Sequence, residues 1–211
     1  MKKTNLSLMK KKLEEESQQP ILISTSSDNH HSDDDIDSSE NRIYFYSEVD
    51  RTSVLGLIKK ITEVSNSLKA NQILLTLKDP GNIFLHINSY GGSVFDAFCA
   101  VNYIENSDIP IISSIDGYAA SAASLLSVCA HKRVMFKNSL VLIHQLSSWF
   151  EGTYENWKDE VKNIEILMNR IKAIYEARTK LPKKKLEDLL KHDLWLTAEK
   201  CIEYGIVDEI I

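Results

Sequence analysis

From Asn41 onward the chain alternates short apolar runs with longer amphipathic stretches. Val54, Leu57, Ile58, Ile61 and Val64 recur at helical spacing, which predicts a helix over residues 52–68 with one buried stripe. RIYFY (42–46) ahead of it and IFLHI (83–87) after it are β-rich runs that read as strands. IFLHI ends in Asn88-Ser89-Tyr90-Gly91-Gly92, and the helical period resumes in VFDAFCAVNYIE (94–105). The order then repeats, with a strand at Ile111–Ile115, a turn at Asp116-Gly117 and a small-residue helix from Ala119 to about Ala130. Strand, helix and strand in succession, twice over, predict an α/β fold of parallel βαβ units with right-handed crossovers.

VMF (134–136) and LVLIHQ (140–145) add two short strands. One long helix is expected from Thr153 to Thr179, because Trp157, Val161, Ile164, Leu167, Met168, Ile171, Ile174 and Tyr175 recur every three or four residues. At ~1.5 Å per residue it is about 40 Å long, more than a domain of this size needs, so its stripe is expected to project into a partner. The plainer alternative is that the stripe packs on its own domain. Pro182 opens a shorter helix, residues 193–196 connect, Thr197 caps a helix ending at Gly205, and IVDEII closes the chain as a strand.

Composition changes the picture at the N-terminus. Of the 211 residues 43% are apolar and 26% charged, and the net charge is -5. Residues 1–41 hold five lysines and nine acids, so the remaining 170 residues are almost neutral. Serines and aspartates crowd residues 24–40, and the segment has too little apolar surface to offset its ordering entropy. It reads as a disordered charged tail or prosegment, with a short helix over 7–16, ahead of a domain at 42–211. His30 and His31 lie beside aspartates, but a solvated linker holds no fixed metal geometry, and no metal site is assigned. No apolar run approaches the ~20 residues of a membrane span, and no continuous apolar segment near the start suggests a secretion signal. Cys99, Cys129 and Cys201 are far apart and lack CxxC spacing, which speaks for a reducing compartment and a cytoplasmic location. The neutral body has no basic face for nucleic acid.

Three features could carry chemistry. Gly91 and Gly92 sit between a strand and a helix, where glycine permits close backbone approach and helix N–H groups attract negative charge; they could equally be a simple turn. Ser121 lies among small residues at the mouth of a helix, where a developing oxyanion would meet N–H groups, although close alanine packing would explain the same pattern. His144 follows an apolar strand, at the strand end where α/β sites collect, and could be only a satisfied polar residue. A serine hydroxyl needs a neutral imidazole to take its proton, and the imidazole needs a carboxylate to fix its tautomer. Asp159, Glu160, Asp188, Asp193 and Asp208 all follow His144, and spacing does not choose among them.

INSYGGSVFDA (87–97), DGYAASAASLLS (116–127), NSLVLIHQ (138–145) and HDLWLTAEKCIEYGIVDEI (192–210) resemble, in this order, the proteolytic subunit of the ATP-dependent Clp protease. The similarity runs from about Arg42 to the C-terminus. It implies Ser121 as nucleophile, His144 as general base, Asp193 as orienting acid, and the N–H groups of Gly92 and Ala122 as oxyanion hole. It implies a crotonase-like αβ superhelix with a projecting handle helix, here residues 153–179. It also implies stacked heptameric rings, polypeptide substrates fed by an AAA+ unfoldase, and a peptide bound as a strand between Ser93-Val94 and Leu146-Ser147. No metal or organic cofactor is required. There is no GxSxG elbow, and the order serine, histidine, aspartate differs from the α/β-hydrolase order.

The chain departs from the family at Tyr90, where a proline is common, and at Leu146, Ser147 and Ser148, where proline and glycines are common. The interval from Ser121 to His144 is shorter than in the usual bacterial subunit and resembles virus-borne or otherwise divergent members. Two competing functions remain at this level: a ring-forming subunit that does not cleave, and a crotonase-like acyl-CoA enzyme. Neither requires serine, histidine and aspartate in this order.

Overall fold

The apolar runs pair into a single sheet. A computed structural model describes residues 36–211. Its elements are β1 (Ile36–Ser39), β2 (Arg42–Phe45), α1 (Arg51–Leu74), β3 (Ile83–Ser89), α2 (Val94–Glu105), β4 (Ile111–Ala120), α3 (Ala122–Val128), β5 (Lys132–Met135), β6 (Leu140–Leu142), α4 (Tyr154–Arg178), α5 (Lys183–Leu189), β7 (Trp195–Leu196), α6 (Ala198–Glu203) and β8 (Glu209–Ile210). Strands run in the order β1-β2-β3-β4-β5-β8, with β6 beside β4 and β7 beside β6. All neighbours are parallel except β1 with β2 and β6 with β7. This mostly parallel sheet with crossover helices is the α/β, Clp-protease and crotonase-like fold expected from the sequence.

Ile43, Phe45, Leu85, Ile87, Ile111 and Ile115 alternate onto one face of the sheet and are buried under Leu57, Ile61, Ala97, Ile104 and Leu125 of the first three helices. The helices start where polar caps stop the strand-to-helix connections. Asp50 and Ser53 close a reciprocal box at α1, and the Ser93 hydroxyl accepts from the Asp96 N–H at α2.

Besides the helix expected from Ala119, which begins at Ala122, and a two-residue strand at Trp195–Leu196 within the expected connector, three details differ from the sequence reading. First, β4 runs straight through Asp116-Gly117. The register with β3 slips between Ile87 and Ser89, so the glycine marks a bulge and not a turn. A Cβ on Gly117 would lie 2.5 Å from Asn88 Oδ1, so the glycine makes room for a side chain of the neighbouring strand. On its side away from β3 the extended β4 then serves two neighbours, with Ile112–Ile115 beside β5 and Tyr118–Ala120 beside β6. Second, the expected strand 140–145 ends at Leu142. Third, β1 forms within the stretch read as tail, because Ile36–Ser39 pairs with Arg42–Phe45 across a turn at Glu40 and Asn41. The remaining tail readings, the helix at 7–16 and the pair His30 and His31, lie outside the described residues.

The long helix α4 spans 25 residues, about 37 Å at ~1.5 Å each. Its C-terminal half is anchored, with Ile171 and Tyr175 buried and Leu167, Met168 and Ile174 packed against the core. Towards its N-terminus Tyr154, Trp157, Val161 and Ile166 are exposed. The stripe therefore divides: Leu167 and Met168 pack on their own domain, and Trp157 and Val161 face away from it.

Candidate active site

Ser121 occupies the junction of β4 and α3, where the chain must leave a strand and enter a helix within one residue. Its φ of 52° and ψ of -127° belong to a region that glycine favours, so a side chain here is held under strain. The neighbours enforce it. The Ser121 N–H donates to Leu142 O at 2.9 Å, which ties the junction to β6. The Ser121 carbonyl accepts from the Ser124 N–H at 3.0 Å and from the Ser124 hydroxyl at 2.5 Å. Since that hydroxyl has spent its one proton, the Tyr175 phenol, 2.6 Å away, is the donor to Ser124 Oγ. Tyr175 is fully buried, and burial pushes its phenol well above the ordinary range.

Gly91 and Gly92 pass directly in front of Ser121. With φ of +97°, a Cβ at Gly91 would lie 2.6 Å from Ala120 O, 2.8 Å from Ser121 Cβ and 2.9 Å from Ala122 N. No side chain fits there. Gly91 O accepts from Val49 N at 2.8 Å and Ser93 N donates to Val49 O at 2.7 Å, so the segment is pinned from its far side. Among the described residues neither Gly92 N–H nor Ala122 N–H has an acceptor.

His144 follows β6 on a segment fixed by the bond from Gln145 N to Leu190 O at 2.8 Å. Its Nδ1 lies 3.2 Å from Asp193 Oδ1. Asp193 reaches it because β7 pairs antiparallel with β6, Trp195 opposite Leu142, which brings the residues before β7 alongside those after β6. The imidazole is 25% exposed and the carboxylate 79%. Of the five candidate acids named from the sequence, Asp193 is the one paired with it. Ser121, Ala122, His144 and Gly92 together line a cavity of 70 Å³. Val94, Leu146 and Ser147 close the same cavity, and they also line a larger one of 490 Å³ with Ser93. Leu146 is positioned by its N–H, 3.2 Å from Met168 Sδ on α4.

The arrangement places a hydroxyl on a strained turn, an imidazole backed by a carboxylate, and two unpaired N–H groups around one small space. Such a set can activate an oxygen nucleophile and stabilise an oxyanion. Ser124 and Tyr175 are the members that sequence reasoning did not single out. Their one signal was the placement of Tyr175 on the buried stripe of α4.

Other reactive groups stand apart. Burial pushes the Cys129 and Cys201 thiols up to about 12, helped by Glu105 at the first and Glu199 at the second. They are therefore poor nucleophiles near neutral pH. Among the described residues no group of three or more His, Cys, Asp or Glu side chains is placed to hold a metal ion. None of their helices is long and apolar enough to cross a membrane.

Comparison with known proteins covers nearly all of the described chain. Residues 37–211 match the family model described as Clp protease. The ATP-dependent Clp protease proteolytic subunit 1 of Chlamydia pneumoniae is 32% identical over 175 residues, 81% of this chain and 86% of its own length. The subunit 1 of Protochlamydia amoebophila is 30% identical over 175 residues, 81% of this chain and 80% of its own. The ATP-dependent Clp protease proteolytic subunit of Deinococcus radiodurans is 28% identical over 153 residues, 71% and 75% respectively.

Proposed function

The chain belongs to the Clp protease family, a family of peptidases, and on that premise we propose that it is a serine endopeptidase acting on unfolded polypeptides. The observation that carries the proposal is Ser121 on a strained turn in the cavity of His144, itself backed by Asp193 at 3.2 Å.

The substrate lies extended between Ser93-Val94 and Leu146-Ser147, adding a strand to the two segments. Ser121 Oγ attacks the carbonyl carbon as its proton passes to His144 Nε2, the ring nitrogen left free by the Asp193 contact at Nδ1. The carbonyl oxygen becomes an oxyanion held by the N–H groups of Gly92 and Ala122. As the C–N bond breaks, His144 returns the proton to the leaving amine, and an ester links the acyl half to Ser121. Water, deprotonated by His144, attacks the ester and frees both acid and serine. Asp193 stabilises the imidazolium formed in each half.

The exposed apolar end of α4, with Trp157 and Val161, supports assembly through that helix into stacked heptameric rings, with an AAA+ unfoldase delivering substrate. Cytoplasmic residence belongs to the same proposal.

The test is hydrolysis of a denatured protein, together with labelling by a fluorophosphonate probe, for wild type and Ser121→Ala at equal oligomeric state by sedimentation. Wild type is expected to cleave and be labelled. Ser121→Ala is expected to lose at least about 10³-fold in rate. Cleavage that survives in Ser121→Ala would falsify the assignment.

A further inference from the structure

The larger cavity beside the active site has a chemistry of its own. Its 490 Å³ lies within the ~300–1,000 Å³ typical of ligand pockets, and it shares Gly92, Val94, Leu146 and Ser147 with the cavity of Ser121 and His144. A peptide lying between Ser93-Val94 and Leu146-Ser147 would therefore border both spaces.

Val94, Phe95, Leu146, Ile164 and Leu167 make much of the wall apolar, and Ser147, Ser148 and Asn163 add neutral polar groups. One group carries charge. Glu160, half-buried on α4, is the one ionisable residue of the lining. Its carboxylate accepts from Ser148 Oγ at 3.3 Å, a long bond. The lysines nearest in sequence are engaged elsewhere, Lys158 with Glu155 at 3.0 Å and Lys162 with Asp159 at 3.2 Å. The pocket thus presents a largely apolar wall and a carboxylate that has no cationic partner among the described residues.

A side chain with a long apolar stem and a cationic end matches both parts. Its methylenes lie along the apolar walls while its charged head meets Glu160. Leucine or norleucine would fill the apolar wall and leave the carboxylate without a cationic partner, and a glutamate would set two like charges together.

We propose that this space is the specificity pocket of the peptidase and selects lysine or arginine at the residue whose carbonyl Ser121 attacks. The inference rests on the assignment of Ser121, and it adds a substrate class to it. Glu160 is then a specificity-determining residue that touches substrate away from the reacting atoms.

The experiment uses the full chain and fluorogenic peptides that differ only at that residue: lysine, arginine, norleucine or glutamate. Norleucine reproduces the lysine stem without its charge, so the ratio of kcat/KM for lysine to that for norleucine isolates the contribution of the head. That ratio is expected to be about tenfold or more in the wild type, with glutamate the poorest. Glu160→Gln is expected to bring the ratio down towards one, whatever it does to absolute rates, and Glu160→Lys to raise glutamate above lysine. A ratio unchanged by Glu160→Gln, or a wild type that prefers norleucine, overturns the pocket assignment while leaving Ser121 in place. If no peptide is cleaved and the fluorophosphonate probe leaves Ser121 unlabelled, the assignment of Ser121 fails and this inference with it.

Discussion

A serine at φ of 52° and ψ of -127° is a stability liability held in place by its surroundings. Such a conformation costs about 1–3 kcal/mol for a residue with a side chain, whereas glycine adopts it freely. Glycine also gains unfolded-state entropy, which returns about 0.4–1 kcal/mol against the folded form. Ser121→Gly is therefore expected to stabilise the protein by about 1 kcal/mol net while abolishing hydrolysis. Ser121→Ala keeps the Cβ and should give no such gain. Urea unfolding midpoints of the three proteins, at one protein concentration, make the comparison. A glycine variant no more stable than the alanine variant would remove strain from the description of this turn. Nothing in DGYAASAAS announces the strain: the sequence shows small residues near a helix start, and the backbone angles follow from the bonds to Leu142 and Ser124, distant or unremarkable in the sequence pattern.

At the level of elements, the Ser121 turn is tied to the long helix by two hydroxyls. Tyr175 on α4 donates to Ser124 on α3, and Ser124 donates to the Ser121 carbonyl. Tyr175→Phe keeps the buried ring and deletes the first donor, leaving the Ser124 bond to Ser121 without its support. The expected cost is about 1 kcal/mol of stability. Because the relay acts on the position of Ser121, the proposed nucleophile, and not on substrate binding, kcat should fall severalfold with KM little changed. Ser124→Ala should do the same, and the double variant should be no worse than the poorer single one. Loss confined to KM, or additive losses, would show that the two hydroxyls only fill space.

The same elements show what a pattern can and cannot display. Residues 94–105 are legible to the residue, because Ser93 caps them and Val94, Ala97, Ala100, Val101 and Ile104 keep helical spacing on the buried face. Gly117 misleads, because a glycine that admits Asn88 from the next strand looks the same in sequence as a glycine in a turn. Asp193 is brought to His144 by the antiparallel pairing of β7 with β6, a tertiary fact, and the spacing of acids after His144 is silent on it. In each case periodicity reports local burial, and the misses are residues whose role is set by a partner far along the chain.

The molecule as a whole is clamped at two places by carboxylates. Asp116 accepts from Tyr46 at 2.5 Å, from His86 Nδ1 at 2.9 Å and from Ser114 at 2.8 Å, tying the β2 end to β3 and β4 on the sheet face away from the helices. The other His86 nitrogen faces Arg42 at 3.0 Å. Asp208 receives Arg133 through its backbone N–H at 2.9 Å, Nε at 3.0 Å and a terminal nitrogen at 2.5 Å, and Arg133 also reaches the carbonyls of Arg178 and Gly205. Burial alone would raise both acids; hydrogen bonds outweigh it, from His86, Tyr46 and Ser114 at Asp116 and from Arg133 at Asp208, and hold both below the usual carboxylate range. With the folded pKa depressed, the unfolded chain binds the proton more readily. The stabilisation is therefore complete above the unfolded value of about 3.9 and is lost as pH falls through the folded one. Asp116→Asn keeps the shape and removes the titration. It is expected to be less stable than wild type near neutral pH, and the gap should close progressively below about pH 4. Urea midpoints measured from neutral pH into acid, at fixed protein concentration because assembly would shift them, give the two curves. Curves that run parallel through the acid range would mean that the Asp116 carboxylate carries no proton-linked stability in the native protein.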